Sequence, residues 1–212
     1  FPSFALGWKI KEEAFLKDVN WLSDLKLRLG YGQTGQQEKI GDYNYFVSYN
    51  VNTKEDSYYP LIGNGVLNRP NAYNLDLTWE TTTTYNAGLD FGFLDNRITG
   101  SVDYYFRETT DLLNTVYVSA GTNFRNKVTS NIGSLENTGV EVSLNYKPII
   151  TEDFYWDLGL NVTYNKNEIT ELTGEKGYYV ATGGISSGTG NTCQAHAVGY
   201  PASSFYVFQQ AY

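Results

Sequence analysis

The sequence has no methionine, one cysteine, one histidine and five prolines in 212 residues. Each scarcity excludes something. A single thiol, Cys193, closes no internal disulfide and cannot supply a multi-cysteine zinc site. No apolar run approaches the ~18–20 residues of a membrane-spanning helix. Positive charge is in the minority, with 15 Lys+Arg against 23 Asp+Glu and a formal charge of −8. The broad basic face of a nucleic-acid binder is therefore missing, and no nucleic-acid partner is expected. The composition also sets aside collagen, coiled coil and charge-dominated disorder. With no initiator and no signal peptide at Phe1, the expectation is a processed product or a portion of a longer chain.

What is abundant is aromatic: 19 Tyr, 11 Phe and 4 Trp, together 16% of the chain, with 21 glycines. Many of these rings fall in segments that alternate with period two, the mark of strands with two unlike faces. Segments 84–93 and 98–107 are separated by Leu94-Asp95-Asn96-Arg97, where Asp and Asn suit a tight turn, and together predict a hairpin. Segments 4–10, 25–31, 140–146 and 154–164 alternate in the same way, and a seventh strand is expected near Phe205. One face collects residues such as Leu6, Ile10, Leu27, Leu89, Val102, Val142 and Leu160, none of them charged. The other carries Lys26, Arg28, Asp90, Asp103, Glu141 and Asp157 among Thr, Asn, Ser and Gly.

A soluble β-sandwich also has an apolar and a polar face, its apolar face being the core. Two patterns favour a membrane barrel instead. If strands alternate in direction, Tyr31, Tyr85, Tyr104, Phe106 and Tyr164 gather at one end. Trp8, Phe91, Phe93, Tyr146, Phe154 and Trp156 gather at the other, with aliphatic residues between. Two aromatic girdles around an aliphatic band match rings seated at the lipid headgroups. The connections are also lopsided: 11–24, 94–97 and 147–153 on one side, roughly 36–79, 110–137 and 166–204 on the other. Short inner turns and long outer loops are the habit of outer-membrane barrels. The fold class expected is all-β, an antiparallel transmembrane β-barrel segment of about six or seven strands. That number cannot close, since the smallest such barrels have about eight strands and open edges are not viable in hydrocarbon. Residues 1–212 are thus expected to form a partial barrel domain. The small polar residues of the inner face suit a wide lumen facing water or a plug.

No catalytic constellation is visible, so no enzyme, cofactor or metal site is expected. Cys193 and His196 lie three apart in a Gly/Ser/Thr-rich stretch and read as loop residues rather than as a nucleophile with its base. Asn161-Val162-Thr163 matches a glycosylation triplet but lies within an expected membrane strand. Acidic residues lack calcium-loop spacing. Better candidates for substrate contact are the loop tyrosines Tyr58, Tyr59, Tyr178 and Tyr179, and the inward-facing Asp103, Tyr105, Arg107, Tyr155 and Asp157.

Four blocks resemble the barrel of SusC/RagA-type TonB-dependent transporters: LSDLKLRLGYGQTGQQ from Leu22, LTWETTTTYNAGLDFGFLDNRITGSVDYYFRETTDLL from Leu77, NIGSLENTGVEVSLNY from Asn131 and GYPASSFYVFQQAY from Gly199. The resemblance implies a barrel of about 22 strands, of which this is a late-middle portion. It implies a plug domain and a TonB box elsewhere in the protein. It also implies a SusD/RagB-like lipoprotein lid, coupling to TonB, and import of oligosaccharides or oligopeptides across the outer membrane. The matched blocks are scaffold, so no binding residue transfers with them. A passive porin or an outer-membrane adhesin shares the barrel physics and is the alternative; a soluble glycan-binding sandwich is a third reading.

Overall fold

The computed structural model describes residues 1–38, 40, 46–51, 68–119, 127–172, 177–183 and 192–207, with the backbone alone at 49–51 and 68–70. Its strands are β1 (Ser3–Lys9), β2 (Leu22–Gln36), β3 (Tyr49–Val51), β4 (Asn68–Pro70), β5 (Glu80–Phe93), β6 (Ile98–Thr110), β7 (Leu113–Tyr117), β8 (Lys127–Asn131), β9 (Ser134–Ile150), β10 (Tyr155–Glu171), β11 (Tyr179–Thr182), β12 (Gln194–Ala197) and β13 (Ser204–Phe205). Six of them form one antiparallel sheet in the order β1-β2-β5-β6-β9-β10. The short strands pair among themselves within the long connections, as β3-β4, β7-β8 and β11-β12-β13.

The register explains why the alternation is so regular. Phe4, Tyr31, Tyr85 and Phe106 stand side by side across β1, β2, β5 and β6. Two residues along, Leu29, Ala87, Tyr104, Val140 and Tyr164 form the next row. Leu27, Leu89, Val102, Val142 and Val162 form the row after that. A slip of one residue on any strand would turn its apolar set to the other face, so uniform patterning pins all five pairings together.

This apolar face is not a core. Among the described residues only Leu22, Ile169, Leu172 and Ala195 are buried hydrophobics, and none of them belongs to the rows above. Leu6, Leu160, Val162 and Tyr164 stay exposed, Tyr164 by 68%. A sandwich would have covered these positions with a second sheet; here the sheet is a single layer whose apolar side has no protein packed on it among the described residues.

The tight turn forms as expected. Leu94, Asp95 and Asn96 all take positive φ, between 53° and 60°. Asp and Asn tolerate that conformation better than other non-glycine residues. The Asn96 amide is further held by Ser23 Oγ at 3.1 Å.

Several boundaries differ from the sequence reading. Ile10 begins a 3₁₀ turn (Ile10–Glu12) rather than ending β1. The connection expected at 147–153 contracts to 151–154, because β9 continues to Ile150 through an irregularity opposite Trp156 and Leu158. Phe154 lies in that turn, its amide bonded to Thr151 Oγ1 at 3.0 Å, and not in a strand. On the long-loop side β2, β5, β6, β9 and β10 all run beyond the alternating segments. The seventh strand near Phe205 is only Ser204–Phe205, and it pairs with β12 instead of joining the main sheet.

The rings drift across the sheet. Trp8 on β1 shares the row of Leu27, whereas Trp156 on β10 lies one step beyond the row of Leu158, three rows further along the strands. Three rows of ~6.7 Å over five strand spacings of ~4.8 Å correspond to strands inclined ~40° to the perpendicular of that line of rings, the direction of a barrel axis. The usual tilt of strands to a barrel axis is about 35–45°.

Candidate functional site

The polar side of the sheet is built on a repeated device: a glycine on a middle strand that lets a long side chain cross two strands. Arg28, Gly88 and Asp103 share one row on β2, β5 and β6. With no side chain at Gly88, the Arg28 guanidinium reaches over β5, and a methyl there would strike both Asp103 and Arg28. Arg28 donates to Asp90 through Nε at 2.9 Å and Nη2 at 2.8 Å, a two-pronged pairing, and through Nη2 to Asp103 at 3.0 Å. Each partner is partly solvent-exposed, so the pairing positions more than it stabilises. Asp103 is thereby engaged by the wall itself.

The second instance is Tyr105. It shares a row with Asn86, Gly139 and Asn165. Its ring passes over Gly139, and its hydroxyl donates to Asn165 Oδ1 on β10 at 3.1 Å. Around it opens a concavity of about 420 Å³ lined by Thr84, Asn86, Tyr105, Arg107, Asn137, Glu141 and Asn165. The structure thus brings Tyr105 and Arg107 together but leaves Asp157 apart. Asp157 lies beside the 151–154 turn, where it accepts a hydrogen bond from Tyr155 at 3.1 Å. Asn86, Asn137, Glu141 and Asn165 were not singled out from sequence. Their alternation was visible, but which strand neighbours which, and at what register, was not.

On the long-loop side, Tyr178 and Tyr179 line an apolar cleft of about 330 Å³ with Val198, Tyr200, Phe205 and Tyr206. The Tyr179 and Tyr206 rings are 5.1 Å apart. Tyr58 and Tyr59 lie outside the described residues. Cys193 is a half-buried free thiol whose carbonyl accepts from the Tyr206 amide. His196 Nε2 stands 3.3 Å from Ser203 Oγ. Among the described residues no cluster of His, Cys, Asp or Glu has the makings of a metal site.

Two of the long connections, before β5 and between β6 and β9, are fastened to one another by side chains that read the backbone. Asn131 Nδ2 donates to the carbonyls of Thr78 at 2.8 Å and Asp111 at 2.9 Å, and its Oδ1 accepts from the Thr78 amide at 2.9 Å. Glu80, only 4% exposed, accepts from the Leu113 amide at 3.0 Å. One amide side chain therefore joins two loops. Asn131→Ala is expected to cost about 1–2 kcal/mol locally, since each net hydrogen bond contributes ~0.5–1.5 kcal/mol. Limited proteolysis should show new cleavage first within 111–133, with the six-stranded sheet intact.

Comparison with known proteins follows the geometry. Residues 1–208 match the model of the TonB dependent receptor-like β-barrel. The chain is 58% identical to the TonB-dependent receptor SusC of Bacteroides thetaiotaomicron, over all of this chain and 21% of that one. It is 41% identical to the TonB-dependent receptor P39 of Formosa agariphila, over 87% of this chain and 17% of that one. Among solved structures it is similar to the RagAB peptide transporter, with a TM-score of 0.73 and 32% identity over 96% of this chain and 20% of that one. The open state of the RagAB peptide importer matches at a TM-score of 0.77, with 32% identity over 94% of this chain and 20% of that one. The chain spans about a fifth of the length of these relatives.

Proposed function

Because this chain belongs to the TonB dependent receptor-like β-barrel family, we propose that it forms part of the wall of an energy-coupled outer-membrane importer. The cargo proposed is an oligosaccharide or oligopeptide. TonB would be engaged through a part of the protein outside this chain, and a SusD/RagB-like surface lipoprotein would close the outer mouth. The observation that supports this reading most directly is a single-layer sheet with one apolar face, uncovered among the described residues, and one polar face, in continuous register across its middle rows. Apolar residues then meet lipid, and the row of Arg28 and Asp103 meets the lumen. Trp8, Phe91, Phe93, Tyr146, Phe154 and Trp156 would form the inner girdle. Tyr31, Tyr85, Tyr104, Phe106 and Tyr164 would form the outer one, where amphipathic rings favour the interface. The connections 37–79, 111–133 and 172–203 would stand at the outer mouth, with Tyr58, Tyr59, Tyr178 and Tyr179 as their candidates for contact with cargo. Asp103, Arg107 and Asp157 would belong to the lumen wall along which cargo passes.

The reading requires that capture leads to transport only when energy is supplied. Cells expressing the full-length receptor should accumulate labelled oligomer, and deletion of TonB should abolish that accumulation. Continued uptake without TonB would instead indicate a passive pore.

A further inference from the structure

We propose that the cavity around Tyr105 is a subsite for an uncharged sugar ring, with the Tyr105 ring as its stacking platform; this deepens the importer reading and rests on it. The ring is held at both ends, by its own backbone on β6 and by the hydrogen bond to Asn165 on β10. Gly139 beneath it is buried and has no side chain to lift it. One ring face therefore rests on the sheet, and the other faces the cavity.

The groups around the platform still have hydrogen-bonding capacity. Arg107 and Glu141 are both exposed. They line the same cavity, yet neither makes a salt bridge or side-chain hydrogen bond among the described residues. Asn86 is likewise uncommitted, while Asn165 and Asn137 each accept one bond and keep their amide hydrogens. This contrasts with Asp103 on the neighbouring row, which Arg28 already occupies.

The chemistry selects among ligands. A sugar hydroxyl both donates and accepts, and this set offers donors from Arg and Asn and acceptors from Glu and Asn. The C–H face of a pyranose packs on an aromatic ring. One cation opposite one anion leaves no net charge to attract a phosphate or a charged oligomer. A peptide bound by strand addition would need a free strand edge. Here β5, β6 and β9, which carry all of the lining except Asn165, are each paired on both sides. Apart from Tyr105 the lining offers little apolar surface for peptide side chains.

The test uses the full-length receptor, extracted in detergent with its co-purifying partners, and calorimetric titration with malto-, cello- and xylo-hexaose and with a mixed hexapeptide pool. At least one hexaose should bind. Tyr105→Ala should raise its Kd about tenfold, the loss seen when an aromatic anchor is truncated. Tyr105→Phe should keep most of the affinity. Gly139→Ala, which removes no functional group but displaces the ring, should behave like Tyr105→Ala. Heat-modifiable gel mobility verifies that each barrel is folded, and Arg107→Gln supplies a variant that leaves ring and glycine untouched; it should weaken the same hexaose. Hexaose binding unchanged by Tyr105→Ala and Arg107→Gln overturns the proposal. Binding of the peptide pool alone also overturns it, while leaving the importer reading intact. Increased entry of large antibiotics in Tyr105→Ala cells with unchanged hexaose affinity would assign the ring to holding the plug, and overturns it too. Loss of TonB dependence, by contrast, would strike the importer reading itself.

Discussion

Replacing Leu89 or Val142 with arginine is expected to destabilise the barrel by about 2–4 kcal/mol, the cost of a cation facing lipid near the bilayer midplane. Both residues stand in the middle row of the apolar face, with Leu27, Val102 and Val162 as neighbours. The magnitude comes from lipid and not from packing, since no protein layer covers this face among the described residues. Arginine at Asn86 or Ser143 is the internal control. Those residues lie three and one positions along the same strands, on the polar face, where Asn86 lines the cavity and Ser143 bonds Ser101 at 2.9 Å. Their arginine variants should cost less, because the new charge meets water or polar groups. Urea-dependent folding of the full-length protein into lipid vesicles measures the difference. Equal costs on the two faces would refute the lipid-facing assignment.

The second large effect is expected at Gly100, where alanine should cost about 1–3 kcal/mol, the range for overfilling a packed site. A methyl there would meet the main-chain oxygen of Ser143 and stand 2.7 Å from Phe91 Cζ. Phe91 is the direct cross-strand partner of Gly100, and its ring lies over the bare backbone. A ring can swing aside, but the Ser143 carbonyl moves only if β9 moves. Gly159→Ala is the matched comparison: nothing lies within 4 Å of its added methyl, so the change should remain within ~0.5 kcal/mol. Adding Phe91→Ala to Gly100→Ala should recover only part of the loss, which a double-mutant cycle would report as a coupling between the two positions. Full recovery would mean that the ring alone, and not the backbone of β9, resists the methyl.

How much was legible follows from where lipid imposes a pattern. Between Leu25 and Tyr31, Tyr85 and Phe93, Ile98 and Phe106, or Val140 and Tyr146, one face must be apolar and the other polar. Period-two alternation marks those strands and which of their residues share a face. Beyond the girdles the constraint lapses. Gly32-Gln33-Thr34-Gly35-Gln36 and Thr81-Thr82-Thr83-Thr84 are polar on both faces, yet they pair as regularly as the rest, as with Thr82 and Thr109 at 2.9 Å. Nothing in their composition separates such a strand from a loop, so alternation alone ends the strands too early on that side. The 147–153 connection was overestimated for a related reason. Pro148 interrupts the alternation where β9 carries its irregular pairing, although the strand continues.

The candidate site divides in the same way. That Tyr105 and Arg107 face inward was determined by the sequence, because their parity is opposite to that of Tyr104 and Phe106. That Asp103 is already bound, that Tyr105 bridges to Asn165, and that Arg107 and Glu141 share a cavity unpaired were decided only by tertiary structure. The physical reason is that alternation is a property of one strand and depends only on which medium each face meets. Contacts across Gly88 and Gly139 depend on the relative register of three strands, and those strands are separated in sequence by long loops. The scarcities at the start carry through in the same sense. One thiol, little positive charge and no long apolar run excluded a multi-cysteine zinc site, a general nucleic-acid binder and membrane-spanning helices from composition alone. Which polar residues remain available to a cargo required the sheet to be assembled.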